Sequence, residues 1–497
     1  MMRLSVGAFL ALSRLPGLLA DDTPGFRGDT NNCLSEPIQQ TPEKIAPKVM
    51  IISMVRTTEP KILLSSRDNT PGTAGPLSLT VGVCNAVEIS CANTPQQFTP
   101  EAEIWYKHLP SRGLGDLLAV NVSIPGLSPI FPQAHCTASG EICQLTAGES
   151  EINAAASLTA LALSPRFDLA RTYFLAAGIA GVNPKLGTLG GVALARFAVQ
   201  VALQYEIDAR EMPAGLGTGY IPFGGYDPRD YPAILYGTEV LELNAALRDR
   251  AHALASRATL ADDAAAAAHR AMYAEAPGGV FERATGPPSV VRCDTATSDV
   301  YYSGALLSET FENTTRIWTN QTAITYCMTA QEDNAVLEVL LRAHLWGLVD
   351  YERAIVMRAG SNFDRPPPSV TAYAHLRLSD QDAFDIAVEN LYRAGVEIVQ
   401  GIVDEWNCTY EAGVRPTNYV GDVFGSLGGE PDFGPGGLFG GRGACVGGGS
   451  CGDAGGASAA AEESMRRRRR RGGVGGWKHY DHMLIQQKHQ LPVAPHP

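Results

Sequence analysis

Residues 172–182 read Thr-Tyr-Phe-Leu-Ala-Ala-Gly-Ile-Ala-Gly-Val, and this stretch decides the fold. Its first half is an apolar run without polar alternation, which is typical of a strand buried on both faces, as in a parallel sheet. The run ends in Ala177-Gly-Ile-Ala-Gly181, where two glycines allow the backbone to turn sharply and approach a ligand. Because ligands of open α/β sheets bind beyond the carboxyl ends of the strands, we predict that this glycine turn forms the floor of a binding site.

Apolar runs and helix-like segments alternate on both sides of this stretch. The predicted strands cover residues 47–54, 142–145, 191–201, 289–293, 323–328 and 354–357. The predicted helices cover residues 154–163, 238–258, 304–311, 335–348 and 381–404. This alternation predicts an α/β protein. Each strand leads into a polar or glycine-rich turn, so we expect several chemically rich turns to share one rim of one sheet.

Composition and charge exclude several classes of function. The chain has 497 residues and a formal net charge of −13, so we expect no nucleic-acid partner. A membrane-spanning helix needs about 20 mainly apolar residues. The longest candidate, residues 186–205, is rich in glycine and carries Arg196, so we expect no span beyond a signal peptide. Metal-ligand spacings and a nucleotide P-loop are missing from the sequence, which predicts that no cofactor is needed.

The amino terminus resembles a secretory signal. Residues 1–20 combine a basic start, a short apolar stretch and a small residue before two acids, although Arg14 and Pro16 depart from the pattern. We therefore predict a secreted or cell-surface glycoprotein. Glycosylation sequons that agree with this prediction begin at Asn121, Asn313, Asn320 and Asn407.

The ten cysteines form no CxxC cluster, which favours a few disulfides over a metal site. Cys136 and Cys143 flank a short turn, and Cys293 and Cys327 lie on predicted neighbouring strands, so each pair is a candidate disulfide. Buried free thiols are the alternative for all of them.

Two segments interrupt or extend the main domain. Residues 56–97 have the composition of a loop, and they are unusually many for a loop inside a compact domain. Residues 436–497 collapse into Gly, Ala and Ser, followed by the arginine run 466–471, and we predict a disordered low-complexity tail.

Eleven motifs, spread in order over residues 46–435, resemble those of the purine nucleoside permease family of fungi and some bacteria, which implies a domain with these bounds. They are Pro100-Glu-Ala-Glu-Ile-Trp-Tyr106, Pro125-Gly-Leu-Ser-Pro129, Gly148-Glu-Ser-Glu-Ile-Asn-Ala-Ala155, Ala177-Gly-Ile-Ala-Gly181, Tyr205-Glu-Ile-Asp-Ala-Arg210, Tyr236-Gly-Thr-Glu239, Thr297-Ser-Asp299, Gln331-Glu-Asp-Asn334, Ser361-Asn-Phe-Asp-Arg365, Thr417-Asn-Tyr419 and Pro431-Asp-Phe-Gly-Pro435. In the family pattern the first strand leads almost directly into the Pro100 motif, so the intervening residues 56–97 indicate either a retained intron in the gene model or a real surface insertion. The family is remotely similar to the nucleoside phosphorylase and nucleosidase superfamily. That resemblance implies three layers, with a single twisted mixed sheet flanked by helices, and cleavage of the bond between a purine and ribose.

The resemblance also implies roles for individual residues. Asn362 aligns with an Asp or Asn that contacts the purine, and Asp364 is a candidate acid beside it. An Asn donates a hydrogen bond but cannot transfer a proton, so it would stabilise the leaving purine anion. The alternatives are an Asn that caps the following turn and a salt bridge from Asp364 to Arg365.

The remaining candidates would hold the ribose and the nucleophile. Glu332 or Asp333 aligns with a ribose-binding carboxylate; the alternative is ordinary acidic charge at a helix start. Glu101 and Glu103 match the acid on the nucleophile side, and two residues this close on a helix do not face the same way, so we favour Glu101. The other candidates for substrate contact are Gly148, Ala177, Gly178, Gly181, Gln331 and Ser361.

The expected substrate is a purine nucleoside, and three functions compete. Because the segment around Glu101 and Glu103 offers acids where phosphorolysis needs an anion pocket, a nucleosidase is favoured over a phosphorylase. A non-catalytic binding protein that assists nucleoside uptake is the third reading. The sequence leaves the preferred purine and the oligomeric state open, a homo-oligomer included.

Overall fold

The computed structural model describes residues 44–54, 98–319 and 326–434. The predicted signal peptide, insertion and tail lie outside the described residues, as does the sequon at Asn320. All elements given below belong to the unit that begins at Lys44.

Fifteen strands are formed by the described residues. They are β1 (Val49–Ser53), β2 (Val120–Ser123), β3 (Gln133–Cys136), β4 (Ile142–Thr146), β5 (Tyr173–Val182), β6 (Val192–Leu194), β7 (Phe197–Gln200), β8 (Tyr205–Glu206), β9 (Tyr220–Ile221), β10 (Val240–Glu242), β11 (Val290–Arg292), β12 (Asp294–Thr297), β13 (Tyr326–Ala330), β14 (Ala354–Phe363) and β15 (Gly421–Asp422).

Eight α-helices are formed by the same described residues. They are α1 (Pro100–His108), α2 (Ser150–Ala162), α3 (Ala245–Ala255), α4 (Ala264–Ala271), α5 (Ala305–Trp318), α6 (Asp333–Leu345), α7 (Ala372–Arg377) and α8 (Phe384–Asp404). None of the described helices is long and apolar enough to cross a membrane.

The sheet is mixed and branches at β5. Its main path runs β15-β10-β7-β12-β13-β5-β1-β4-β3-β2, and β14 pairs with β5 outside this path. β5 is parallel to β1 and β14 but antiparallel to β13. The stretch 172–182 therefore lies at the junction of the whole sheet, and the predicted mixed sheet is confirmed.

Both faces of the sheet are covered by helices. Along β1, Met50 and Ile52 pack in the same core as Leu158 of α2 and Leu340 of α6. The alternate residues of β1 pack in a second core, which includes side chains of α1, α3 and α8. Because strand side chains alternate between faces, an unbroken apolar run suits this sandwiched position. The predicted three layers are confirmed.

The predicted glycine turn is wrong, because β5 continues through it to Val182. The glycines serve close packing instead. A Cβ on Gly178 would lie 2.5 Å from Nη1 of Arg358, and a Cβ on Gly181 would collide with Oγ1 of Thr329. β14 likewise extends beyond the predicted residues 354–357 and pairs with β5 along its length. The two strands have an irregular register between Gly360 and Asn362.

Two further predicted elements are each divided in the structure. The predicted helix 238–258 is divided into β10 and α3, because the side chain of Asn244 caps α3 by accepting from the backbone N of Leu247. The predicted strand 191–201 is divided into β6 and β7.

The structure joins Cys136 to Cys143 and Cys293 to Cys327 as disulfides.

Candidate functional site

A cavity lies where the predicted rim brings polar turns together. It collects residues that follow β1 and β12, residues at the end of β13, and the second halves of β5 and β14. Its lining residues are Met54, Glu101, Glu149, Ile179, Ala180, Gly181, Ser298, Val300, Tyr301, Tyr302, Thr329, Ala330, Gln331, Glu332, Arg358, Ser361 and Asn362. The cavity therefore brings together six residues predicted from the sequence: Glu101, Gly181, Gln331, Glu332, Ser361 and Asn362.

Glu101 enters this cavity from the first turn of α1. Thr99 caps the helix and Pro100 begins it, which is the usual place for proline and for acids. The Glu101 side chain is buried, and the residue is only 2% exposed. Its Oε2 accepts from the backbone N of Met54 at 2.9 Å, and its Oε1 accepts from the backbone N of Ile179 at 2.8 Å. The carboxylate therefore joins the end of β1 to β5.

Burial raises the pKa of Glu101 to about 8. The two backbone hydrogen bonds and the positive charge of Arg358 oppose this rise, whereas the nearby Glu332 carboxylate adds to it. A carboxyl group that changes protonation near neutral pH can accept a proton from a reacting group, which an ordinary surface glutamate does poorly. Glu101 is therefore suited to act as a general base.

Arg358 on β14 lines the cavity and pairs with two carboxylates there, and it was not among the site residues predicted from the sequence. It is 1% exposed. Its Nη2 lies 3.0 Å from Oε2 of Glu332 and 2.5 Å from Oδ1 of Asp333. The sequence did contain a signal for this residue. An arginine directly follows the apolar run 354–357, and a charge beside a buried strand requires a partner.

Glu332 also holds the start of α2. Its second oxygen, Oε1, accepts from the backbone N of Ser150 at 3.1 Å. Next to this bond, Oδ1 of Asp299 accepts from the backbone N of Glu151 at 2.8 Å. A helix N-terminus attracts anions through its free N–H groups, and here two carboxylates of the protein occupy that position. Burial raises the pKa of Glu332 as well.

Asn362 and Ser361 lie at the irregular end of β14, opposite Gly181 of β5. Oγ of Ser361 donates to the backbone O of Ala180 at 3.2 Å and lies 3.0 Å from Oδ1 of Asn362. Nδ2 of Asn362 donates to the backbone O of Phe363 at 3.3 Å. Bulges of this kind often re-aim a side chain at an active site. The amide has a second hydrogen, which is a donor for a ligand.

The structure places the other predicted residues outside the lining of this cavity. Glu103 pairs with Lys107 at 2.7 Å on the exposed side of α1, and Asp364 pairs with Nε of Arg365 at 2.7 Å. Asp333 lies behind the cavity and contacts it only through Arg358. The remaining residues outside the lining are Gly148, Ala177 and Gly178.

Several lining residues were missed by sequence reasoning. Tyr301 and Tyr302 follow the Thr297-Ser-Asp299 motif and face the cavity, as does Thr329 at the end of β13. Two adjacent aromatic residues after a strand end were the signal that could have identified the tyrosines, because aromatic rings are common in ligand pockets. Met54 and Thr329 carry no comparable signal, since their place depends on the pairing of distant strands.

The sequence is similar to those of known purine nucleoside permeases. A family model described as purine nucleoside permease (NUP) matches residues 46–415. A purine nucleoside permease of Candida albicans is 48% identical over 320 residues, which cover 63% of this chain and 77% of the relative. A probable purine nucleoside permease of Schizosaccharomyces pombe is 39% identical over 323 residues, covering 62% of this chain and 88% of the relative.

Solved structures with low sequence identity also align with the chain. A 5'-methylthioadenosine/S-adenosylhomocysteine nucleosidase from Neisseria meningitidis aligns with a TM-score of 0.37 and 12% identity, covering 71% of this chain and 99% of that one. A nucleosidase of the same name from Streptococcus pneumoniae, in complex with 8-aminoadenine, aligns with a TM-score of 0.37 and 11% identity, covering 71% and 99%.

Proposed function

The chain belongs to the purine nucleoside permease family, and we propose that it binds purine nucleosides in the cavity around Glu101 and hydrolyses their N-glycosidic bond. One observation carries the proposal: two buried carboxylates from separate elements, Glu101 and Glu332, face the same small cavity as the amide of Asn362. Such a set offers a base, an acceptor for sugar hydroxyls and a donor for the leaving group.

The reaction breaks the bond between C1' of ribose and the purine nitrogen, and the nitrogen keeps the electron pair. Positive charge then develops on the sugar ring, as in glycoside hydrolysis, and negative charge develops on the purine. A water molecule attacks C1' while Glu101 accepts its proton. Glu332 accepts from ribose hydroxyls, and Asn362 donates to the purine anion. The purine then takes a proton from solvent, and the products are free base and ribose.

The charges of the cavity favour water over phosphate as the nucleophile. Backbone N–H groups that could bind an anion, at Met54, Ile179 and Ser150, already donate to carboxylates. The positive charge of Arg358 is balanced by Glu332 and Asp333. An incoming phosphate would therefore find these N–H groups and this guanidinium already engaged, and it would lie beside the carboxyl groups of Glu101 and Glu332.

The test is an incubation of the purified full chain with adenosine, guanosine or inosine, with and without phosphate, followed by chromatography of base and sugar. We expect free base and ribose in both conditions. Base release that requires phosphate and yields a sugar phosphate would contradict hydrolysis. Tight binding without release of base would contradict catalysis altogether.

A second function, nucleoside binding without cleavage in support of uptake, is favoured by one observation. Both oxygens of Glu101 and both oxygens of Glu332 already accept hydrogen bonds from the protein. Carboxylates committed in this way can serve as rigid parts of a binding site. Calorimetric titration with adenosine separates the two functions, because a binding protein gives a saturable heat and no free base.

We also propose that the protein acts at or outside the cell. The support is the pair of disulfides, which form in oxidising compartments, together with the exposed side chains of Asn121 and Asn407 at glycosylation sequons. The test uses the protein purified from the cells that naturally produce it. Enzymatic removal of N-glycans should lower the apparent mass of this protein. An unchanged mass in a purely intracellular fraction would contradict this location.

A further inference from the structure

A second cavity adjoins the cavity around Glu101, between the end of β14 and α7, and we call it the α7 cavity. Its volume is about 610 Å³, whereas the volume of the cavity around Glu101 is about 70 Å³. Tyr301, Ser361 and Asn362 line both cavities. Ligand pockets usually measure about 300–1,000 Å³, so a purine nucleoside held at Glu101 needs space beyond the smaller cavity. The α7 cavity provides such space directly beside Asn362.

Hydrogen bonds hold the buried wall of the α7 cavity in place. His375 is 2% exposed and Gln381 is 8% exposed. Oε1 of Gln381 accepts from the backbone N of Phe363 at 2.7 Å, and its Nε2 lies 3.2 Å from Nε2 of His375. Nδ1 of His375 lies 2.9 Å from Oγ of Ser303. Burial lowers the pKa of His375 to about 4, so this wall is uncharged at neutral pH.

Apolar side chains form the rest of the wall. Phe363, Leu376, Phe384 and Ile386 line the α7 cavity. Leu376 is 41% exposed on α7, although it is a large apolar residue. Covering such surface with an apolar group is favourable, because it removes that surface from water. The uncharged polar network and these side chains together suit a neutral organic group.

The charge at the opening of the α7 cavity disfavours anions. Asp263, Asp380, Asp382 and Asp385 line the cavity and are exposed, and the described residues that line it include no lysine or arginine. Charges closer together than about 8 Å are not fully screened at physiological ionic strength. An anionic group in the cavity would therefore be repelled by these carboxylates.

The proposed substrate directs one edge of its base toward this cavity. In the proposed reaction Asn362 donates to the purine anion, and we take its acceptor to be N7, the second nitrogen of the ring that receives the electron pair. N7 and the amino group at C6 of adenine lie on the same edge of the base. Asn362 lines both cavities, and Glu101 lines only the smaller one. A group attached to the 6-amino nitrogen is therefore directed past Asn362 and away from Glu101.

We propose that the α7 cavity receives a neutral substituent on the 6-amino group of the purine, so that the substrates of this protein include adenosines alkylated at N6. The inference rests on the proposed binding of purine nucleosides around Glu101, but it does not require their hydrolysis. An unsubstituted adenosine leaves Leu376 uncovered, whereas an N6-alkyl or N6-benzyl group buries it. The substituted nucleoside should therefore bind more tightly than adenosine.

The test is calorimetric titration of the purified full chain with adenosine, N6-benzyladenosine and N6-(carboxymethyl)adenosine. We expect N6-benzyladenosine to bind about tenfold more tightly than adenosine, because its phenyl ring buries apolar surface. N6-(carboxymethyl)adenosine should bind more weakly than adenosine, because its carboxylate meets the aspartates of the α7 cavity. Binding of N6-benzyladenosine that is no tighter than that of adenosine would overturn the proposal, as would the tightest binding by the carboxymethyl compound.

Two leucines offer a matched pair of variants that locate the substituent. Leu376→Ala removes a side chain that lines the α7 cavity, whereas Leu378→Ala removes one that does not. Both side chains are substantially exposed, at 41% and 66%, so neither change endangers folding. The ratio of the affinities for N6-benzyladenosine and adenosine should fall about threefold in Leu376→Ala and stay unchanged in Leu378→Ala. An unchanged ratio in Leu376→Ala, or an equal fall in both variants, would overturn the assignment.

The titrations separate this inference from the proposed function. Adenosine that binds while N6-benzyladenosine binds no more tightly contradicts the α7 cavity alone. Failure of adenosine itself to bind contradicts the proposed function, and this inference with it. Nucleosides that bind in the expected order without release of base contradict hydrolysis and leave the assignment of the α7 cavity supported.

Discussion

Two buried arginines, Arg358 in β14 and Arg365 just after its end, have similar neighbours. Each is 1% exposed and each pairs with a buried carboxylate: Arg358 with Glu332 and Asp333, and Arg365 with Asp364. They differ in what lies beyond the pair. Glu332 lines a cavity, whereas Oδ2 of Asp364 accepts from the hydroxyl of Tyr326 at 2.7 Å.

The difference shows that burial and ion pairing do not identify a functional cluster. Burial raises the pKa of both Glu332 and Asp364, and the paired arginine opposes the rise in each case. Arg358 and Glu332 line the cavity together with the further carboxylate Glu101. The cluster at Arg365 instead continues to Tyr326 and to the half-exposed Glu309, and none of these residues lines that cavity, so we assign it a structural role. Four predictions test this distinction.

The largest expected effect is on Glu101, the carboxylate that distinguishes the cluster at Arg358. Glu101→Gln keeps the shape of the side chain but removes the base, so the rate of base release should fall about a thousandfold, as expected for a lost general base. The measurement is the initial rate of adenine release from adenosine at saturating substrate.

Glu103→Gln is the matched control, because Glu103 lies on the same helical turn but pairs with exposed Lys107. Its rate should stay within about twofold of the parent rate, since an exposed pair of this kind contributes little. Equal rates for Glu101→Gln and the parent protein would remove Glu101 from the mechanism.

The second prediction concerns pH. Because the pKa of Glu101 is about 8 and the base acts when ionised, activity should fall about tenfold for each pH unit below about 8. Stability should show the opposite trend. Burial favours the protonated form of Glu101 in the folded state. Its contribution to the free energy of unfolding is therefore fully present below the pKa of the unfolded chain, near 4.5, and is lost as the pH rises through about 8.

The pH dependence is measured as kcat/KM and as the free energy of unfolding in urea, both between pH 5 and pH 9. In the Glu101→Gln variant, the free energy of unfolding should lack the part of the pH dependence that comes from Glu101. A rate profile that is flat from pH 6 to pH 9 would contradict a base of raised pKa.

The third prediction compares the two clusters directly. Asp364→Asn breaks the pair at Arg365 and should lower the free energy of unfolding by about 3 kcal/mol, the usual cost of leaving a buried charge unpaired. The rate per folded molecule should stay within about twofold. Asp333→Asn should be similarly destabilising but should also slow base release, because it disturbs Arg358, which lines the cavity.

Both variants are measured by urea unfolding, and their rates are normalised to the folded fraction. If Asp364→Asn reduces the normalised rate as much as Asp333→Asn does, the cluster at Arg365 belongs to the site and the distinction between the clusters fails.

The smallest expected effect is at Asn362. Asn362→Ala removes a neutral hydrogen-bond donor to the purine, so kcat/KM should fall about fivefold to tenfold, in line with about 1 kcal/mol for such a bond. Nucleoside titration together with the cleavage rate is the measurement. A variant that binds and cleaves like the parent would show that Asn362 does not contact the purine.

Much of the fold could be predicted because its signals are local. The apolar run of β5, the proline and acids at the start of α1 and the amphipathic pattern of α8 each depend on neighbouring residues. The helix boundary near Asn244 could not be predicted from periodicity, because a three-residue strand and a cap interrupt one apolar pattern. The glycines after Ala177 were misread as a turn, because glycine marks close approach as well as bending.

The sequence by itself determined the alternation of strands and helices, the family resemblance and the acidic character of the rim. The sequence also favoured Glu101 over Glu103, but only the tertiary structure shows how it reaches the cavity: the rotation of α1 buries its carboxylate against the backbone N–H groups of Met54 and Ile179. The tertiary structure also decided which side chains fill the space beside Gly178 and Gly181. Those neighbours, Arg358 and Thr329, lie about 150 to 180 residues away along the chain, and no local pattern encodes contacts at such separations.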